Sequence, residues 1–219
     1  MKKIFIFTPI FKYQDLTVRR NQMLVRINSI HLVQYSEIIG QSVEHSKQMA
    51  YKQFLKTDCD FFLNIDADTY FFDDPRTNNP INRLVSLDKD VVGGLYVCKR
   101  KPYTPVYRPA DLQNRWNADK KAPENYPFNI PHEPQQVAYV GGGFVLIKRK
   151  VIEELMEIYP VPNLPMIHPV TDEYLSEDYA FCHMAASHGF EVWVDPVVKL
   201  GHESTKYYTV EDYKNGNKS

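Results

Sequence analysis

Apolar residues in this chain fall into short dense runs, separated by stretches in which they recur every three or four positions. The run at residues 3–7, Lys-Ile-Phe-Ile-Phe, gives way to Thr8-Pro9, the pattern of a buried strand entering a loop. Residues 15–33 mix apolar and basic side chains and predict a helix over much of that span; residues 36–40 predict a short second strand. From Ser42 the spacing turns helical through Val43, Met49, Ala50, Phe54 and Leu55. The next dense run, residues 61–65, stops abruptly at Asp66-Ala67-Asp68. Strand, helix, strand, helix, strand in that order predicts a parallel α/β sheet.

Later segments extend the sheet. Residues 91–97 are rich in β-formers, and residues 139–147 form an apolar run containing Gly141-Gly142-Gly143. Val151, Ile152, Leu155 and Met156 make one stripe of a helix. Ser176 as N-cap and Gly189 as stop predict another, and residues 190–194 read as a strand ahead of Pro196. Residues 101–134 hold seven of the fifteen prolines with Tyr103, Tyr107, Trp116 and Tyr126, and predict a loop-rich excursion. We read a single domain over 1–208 and a C-terminal tail over 209–219.

Composition narrows the class. With 43% hydrophobic and 24% charged residues the chain is an ordinary globular one, and a formal net charge of -1 argues against nucleic acid held by a broad basic field. Cys59, Cys98 and Cys182 have no metal-site or disulfide-framework spacing, which suits a reducing compartment, so a cytoplasmic location is expected. No apolar stretch is long enough to span a membrane, and the short run after Lys2-Lys3 lacks a signal-peptide cleavage site. The size also suits one module of a larger protein.

Three places carry candidate chemistry. Asp66 and Asp68 stand where a buried strand meets solvent, the edge at which open α/β sheets bind ligands. Two such carboxylates can share a hard divalent cation that completes its shell with substrate phosphates, or they can simply make a turn through side-chain-to-backbone bonds. Ser176-Glu177-Asp178 opens a helix, where Asp178 serves either as a cap or as a base for an attacking hydroxyl. His202, after the last strand, is either an ordinary surface histidine or a nitrogen ligand that shifts preference from Mg2+ toward Mn2+.

In order, these segments resemble GT-A glycosyltransferases. Residues 61–68 resemble their DxD strand, residues 139–147 the glycine segment lining the sugar pocket, Ser176-Glu177-Asp178 their xED motif, and Leu200-Gly201-His202 their C-terminal metal histidine. The resemblance spans residues 4 to about 207. It implies a Rossmann-like three-layer sandwich with a mostly parallel, mixed central sheet flanked by helices. It implies transfer of a sugar from a nucleotide-diphosphate donor, UDP first, to a carbohydrate acceptor hydroxyl. Asp68 and His202 would bind Mn2+ or Mg2+, with Asp66 contacting the ion or the donor ribose. Thr8 and Pro9 would lie near the base, Gly142 and Gly143 would let the backbone approach the sugar, and Lys206 would neutralise the diphosphate. Asp178 would be the base of an inverting reaction, or in a retaining enzyme would only orient a substrate. Lys47-Gln48 stands where many relatives carry Arg-Asn, a departure that makes Lys47 a secondary candidate.

Three other classes compete. A haloacid-dehalogenase-like phosphatase would put its aspartate after the first strand and add a GDxxxD motif, and neither is found. A nucleotidyltransferase would carry a glycine- and arginine-rich loop where this chain has Phe11-Lys12-Tyr13-Gln14. A non-catalytic carbohydrate-binding module would not need a metal-nucleotide constellation.

Overall fold

A computed structural model describes residues 1–73, 76–99, 103–110, 130–204 and 209–210. Trp116, Tyr126, Lys206 and most of the proline-rich excursion and of the tail lie outside the described residues.

The first half is built as the hydrophobic pattern predicts. Strand β1 (Lys3–Ile10) sends Phe5 and Phe7 into one core and Ile4 and Ile6 into the other, so it is buried on both faces. Strands β2 (Leu32–Ile39) and β3 (Phe61–Ile65) flank it in parallel. Helices α1 (Leu16–Ile27) and α2 (Val43–Phe54) form the two crossovers. Asp15 starts α1 by accepting from the Thr17 and Val18 amides at 2.8 and 3.2 Å, and Ser42 starts α2 by accepting from the His45 amide. The helix predicted over residues 15–33 ends early, at Ile27. Residues from Leu32 onward pair with β1 along its whole length, and that ladder outweighs their local preference.

Short pieces that periodicity does not reveal come next: β4 (Thr69–Phe71) and α3 (Pro80–Ser86), the latter capped by Asn79. Then follow β5 (Val91–Leu95), β6 (Tyr107–Pro109), β7 (Gln135–Val140) and β8 (Phe144–Lys148). The single run expected at residues 139–147 is thus two strands divided at the glycines. Helix α4 (Arg149–Ile158) buries Val151, Ile152 and Leu155, and β9 (Met166–Ile167) pairs with β10 (Tyr174–Leu175) as a small hairpin. Helix α5 (Glu177–Ser187) has Ser176 at its N-cap, and Gly189, with φ of 82°, ends it in the left-handed conformation glycine favours.

The last strand, β11 (Val192–His202), does not stop before Pro196. Its register shifts between Asp195 and Lys199, and buried Asp195 holds the irregularity by accepting from the Val197 amide at 3.0 Å and from Arg83 at 2.7 Å.

Among the described residues the main sheet runs β2-β1-β3-β8-β5-β11-β7-β6, with β4 paired to β11. Strands β1, β2, β3, β5 and β11 point the same way, and β8 is antiparallel to both its neighbours. Helices α2, α4 and α5 cover one face through Phe54, Leu155 and Phe181, while α3, with Val25 of α1, covers the other through Ile81 and Leu84. The result is a mixed, largely parallel sheet between helical layers, the Rossmann-like GT-A sandwich.

Candidate active site

Strands β1, β3, β5 and β11 end at one edge of the sheet, and β8, running the other way, begins there. In such sheets the carboxyl edge is where ligands bind. A cleft of about 540 Å³ opens at this edge, lined among others by Pro9, Lys12, Asp66, Asp68, Lys99 and Glu203.

The Asp66-Ala67-Asp68 turn is held on three sides. The Asp66 amide donates to the Gly143 carbonyl at 2.9 Å, and the Glu203 amide donates to the Asp68 carbonyl at 2.8 Å. From below, the fully buried Gln22 of α1 donates to the carbonyls of Asp66 and Thr69, both at 2.8 Å, while its own carbonyl accepts from Gln14. Asn64, a polar residue in the otherwise apolar β3, donates to Asp66 Oδ1 at 2.7 Å and to the Gly142 carbonyl. The backbone bonds fix the turn and the Asn64 bond orients the Asp66 carboxylate before any ligand arrives.

His202 is brought to the turn by strand pairing. In the antiparallel register of β11 with β4 it lies opposite Thr69, and its Nε2 stands 3.4 Å from Asp68 Oδ2. Its Nδ1 lies 3.2 Å from the Val97 carbonyl, which only accepts, so Nδ1 carries a hydrogen. With a second proton on Nε2 the ring donates to Asp68; without it, Nε2 offers a lone pair beside a carboxylate. Lys99 pairs with the same Asp68 oxygen. Burial works to raise Asp68, but His202 and Lys99 overcome it and hold the carboxyl down at about 2. Burial pushes Asp66 up instead, with Lys47 opposing and Asp68 adding to the rise.

Asp178 lies behind this turn, at the start of α5. Its Oδ2 accepts from the Gly142 amide at 2.8 Å, and its Oδ1 accepts from the Tyr179 amide at 2.9 Å and from the Ser176 hydroxyl. Ser176 therefore makes no bond of its own to the helix backbone. Asp178, Glu177, Gly142, Asn163 and Lys47 border a small separate cavity of about 20 Å³, room for about one water. Lys47 is almost completely buried and reaches to 3.4 Å from Glu177 Oε1. Burial alone would lower its pKa, but the carboxylates of Glu177, Asp66 and Asp178 outweigh it and hold the ammonium above the ordinary lysine value.

The sequence candidates thus divide. Asp66, Asp68, His202 and Pro9 meet at or beside the cleft. Thr8 is buried, and its hydroxyl has no hydrogen-bond partner among the described residues. Gly142 and Gly143 are buried too, and the room left by their missing side chains is taken by protein: a Cβ would meet Lys47 Nζ at 2.8 Å and Tyr96 at 3.0 Å respectively. Lys206 lies outside the described residues. Two residues that sequence reasoning did not single out are central, Gln22 and Lys99. Gln22 carried a readable signal, since it interrupts the apolar core stripe of Val18 and Val25 at helical spacing. Lys99, in an irregular stretch after β5, carried none.

Among the described residues no three His, Cys, Asp or Glu side chains converge closely enough to enclose a metal ion by themselves. Asp68 and His202 could supply two ligands to a divalent ion that takes its other positions from phosphates and water. The donor set fits an ion shared with a ligand.

Neither a protein-family model nor a curated protein sequence matches the chain. Among solved structures, A197 from STIV is similar over 93% of this chain and 86% of its own, with 18% identity and a TM-score of 0.59. That likeness is one of fold. Looser overlaps occur with a glycosyltransferase involved in the glycosylation of the major capsid of PBCV-1 (13% identity, 88% and 82% covered, TM-score 0.45). Another is with the inositol-1-phosphate CTP transferase from T. maritima (12% identity, 90% and 86% covered, TM-score 0.47). Overlap at this level assigns no chemistry.

Proposed function

We propose that the chain is a metal-dependent glycosyltransferase that moves a sugar from a nucleotide-diphosphate donor, UDP first, to a hydroxyl of a carbohydrate acceptor. The observation that carries this reading is the meeting of Asp68, His202 and Lys99 beside Asp66 in a cleft at the carboxyl edge of the sheet. Bound there, Mn2+ or Mg2+ would neutralise charge that develops on the leaving diphosphate. Asp68 and His202 would hold the ion, Asp66 would hold it through water or bind the donor ribose, and Lys99 would exchange its carboxylate partner for a phosphate oxygen. Pro9 and the residues after it would border the base. Gln22 and Asn64 would keep the carboxylates from turning away.

Asp178 has two readings. As an inverting base it would accept the acceptor hydroxyl's proton, and a carboxylate holding three hydrogen bonds still has a lone-pair site for it. A second reading, favoured by its position on the small cavity with Lys47, makes it an orienting group and the enzyme a retaining one. The anomeric configuration of the product, read by NMR, separates them.

The test is incubation with a panel of nucleotide-sugars and Mn2+ or Mg2+, following nucleoside-diphosphate release, alongside Asp68→Ala. Metal-dependent release that Asp68→Ala abolishes supports the proposal. Pyrophosphate release from a nucleoside triphosphate and a sugar phosphate would make the protein a nucleotidyltransferase, and inorganic phosphate release a phosphatase. Metal-independent sugar binding without turnover would leave a carbohydrate-binding module.

A further inference from the structure

Helix α1 is apolar on two opposite sides. Val18, Gln22 and Val25 turn toward the protein interior, as a core stripe requires. At 3.6 residues per turn, Leu16, Met23 and Ile27 fall within about 40° of one another on the opposite pole, with Arg20 beside them. Leu16 is 80% exposed, Ile27 66% and Met23 45%, and Ile30, just past the helix, is 69% exposed. Scattered surface apolars are ordinary, but a helix that is apolar on both poles is built to be covered twice.

Charge selects what covers it. Residues 12–33 carry Lys12, Arg19, Arg20 and Arg26 against one acid, Asp15, which is spent on capping the helix. Arg19 pairs with Glu37 across β2 at 3.2 Å, and the Arg26 guanidinium lies 3.7 Å from the centre of the Tyr35 ring. Arg20 has no such partner among the described residues and stands at the edge of the exposed stripe. A two-fold contact between copies of the chain through this stripe would bring Arg20 of each copy toward the other without an acid on the stripe to meet it. An anionic bilayer answers both features, taking the apolar stripe into its boundary and Arg20 onto its headgroups. Among the described residues no helix is long and apolar enough to cross a membrane, so the contact is one of lying on the surface.

We propose that α1 docks the protein on an anionic lipid surface through Leu16, Met23 and Ile27, with Arg20 on the headgroups. Phe11 and Tyr13, both exposed, line the cleft and precede Leu16 by a few residues of chain, so a bilayer beneath α1 lies close to the cleft mouth.

Flotation of the full chain with phosphatidylcholine vesicles, with and without phosphatidylglycerol, tests this. Wild type is expected to float with the phosphatidylglycerol vesicles, to stay behind with phosphatidylcholine alone, and to be released by salt. Met23→Ser with Ile27→Ser, and separately Arg20→Glu, are each expected to weaken vesicle binding about tenfold or more. These side chains are exposed, so both variants should keep the wild-type thermal midpoint. Absence of wild-type flotation, or unchanged flotation by both variants, overturns the proposal. A concentration-dependent dimer that the serine variant abolishes, with no vesicle binding, would overturn it by assigning the stripe to a second copy.

Discussion

His202 lies opposite Thr69 in the antiparallel pair between β11 and β4, and that register sets its Nε2 3.4 Å from Asp68 Oδ2. Outer-shell substitutions at metal sites cost roughly 10–100-fold in metal affinity, and loss of a ligand should cost no less. Asp68→Ala and His202→Ala are therefore each expected to lower Mn2+-dependent nucleoside-diphosphate binding about 100-fold. Titration calorimetry with and without Mn2+ reads this. Equal affinity for the nucleotide in wild type and both variants would reject the two residues as metal ligands.

Lys99 pairs with the Asp68 carboxylate that a metal ion would take, and so would compete with it. Lys99→Met removes that competitor, so Mn2+ alone should bind more tightly, by about tenfold. The same variant should bind the metal–nucleotide pair more weakly, because a phosphate partner is gone. Opposite changes in the two titrations are the signature; changes in the same direction would show that Lys99 does not exchange partners.

Gln22 is expected to govern stability and site geometry together. Gln22→Ala removes two hydrogen bonds to the turn and leaves a cavity, a loss of about 2–3 kcal/mol. Urea denaturation measures the first effect and metal–nucleotide affinity the second. A variant destabilised to this degree but unchanged in affinity would mean that the turn holds its shape without the clamp.

Lys47 balances Glu177, Asp66 and Asp178. Lys47→Met should cost about 3–5 kcal/mol, since breaking a buried pair strands the remaining charge. Its folded pKa is raised, so its contribution is fully present below the unfolded lysine value of 10.5 and is lost only as pH rises beyond it. The wild-type advantage over Lys47→Met, followed by urea denaturation, should hold across neutral pH and shrink only in strong alkali. An advantage that already faded near neutrality would show that the ammonium is not charged in the fold.

Of Cys59, Cys98 and Cys182, Cys182 is buried and its thiol is pushed up to about 12 by burial. Iodoacetamide at mildly alkaline pH should modify the half-exposed Cys98 first and reach Cys182 only on unfolding. Mass spectrometry of native and urea-treated protein checks the order.

Much of the fold was legible because one physical rule, burial of apolar side chains at a fixed period, acts locally. Phe5 and Phe7 against Ile4 and Ile6, or Val151, Ile152 and Leu155, announce strand and helix without reference to any distant residue. The end of β3 at Asp66-Ala67-Asp68 was equally plain, since a run of buried apolar residues stops there at two charges. Gln22, Lys47 and Asn64 interrupt apolar stretches in one dimension, but neither their place at the site nor their partners show there.

Tertiary structure alone decided the rest. The end of α1 was set by the β1–β2 ladder, the passage of β11 through Pro196 by Arg83 and Asp195, and the place of Lys99 by an irregular loop. Only the folded sheet puts His202 beside Asp68 and Gly142 beside Lys47. Periodicity records which side of an element faces inward, but the neighbour it meets there depends on strand register, and register is a property of two segments at once.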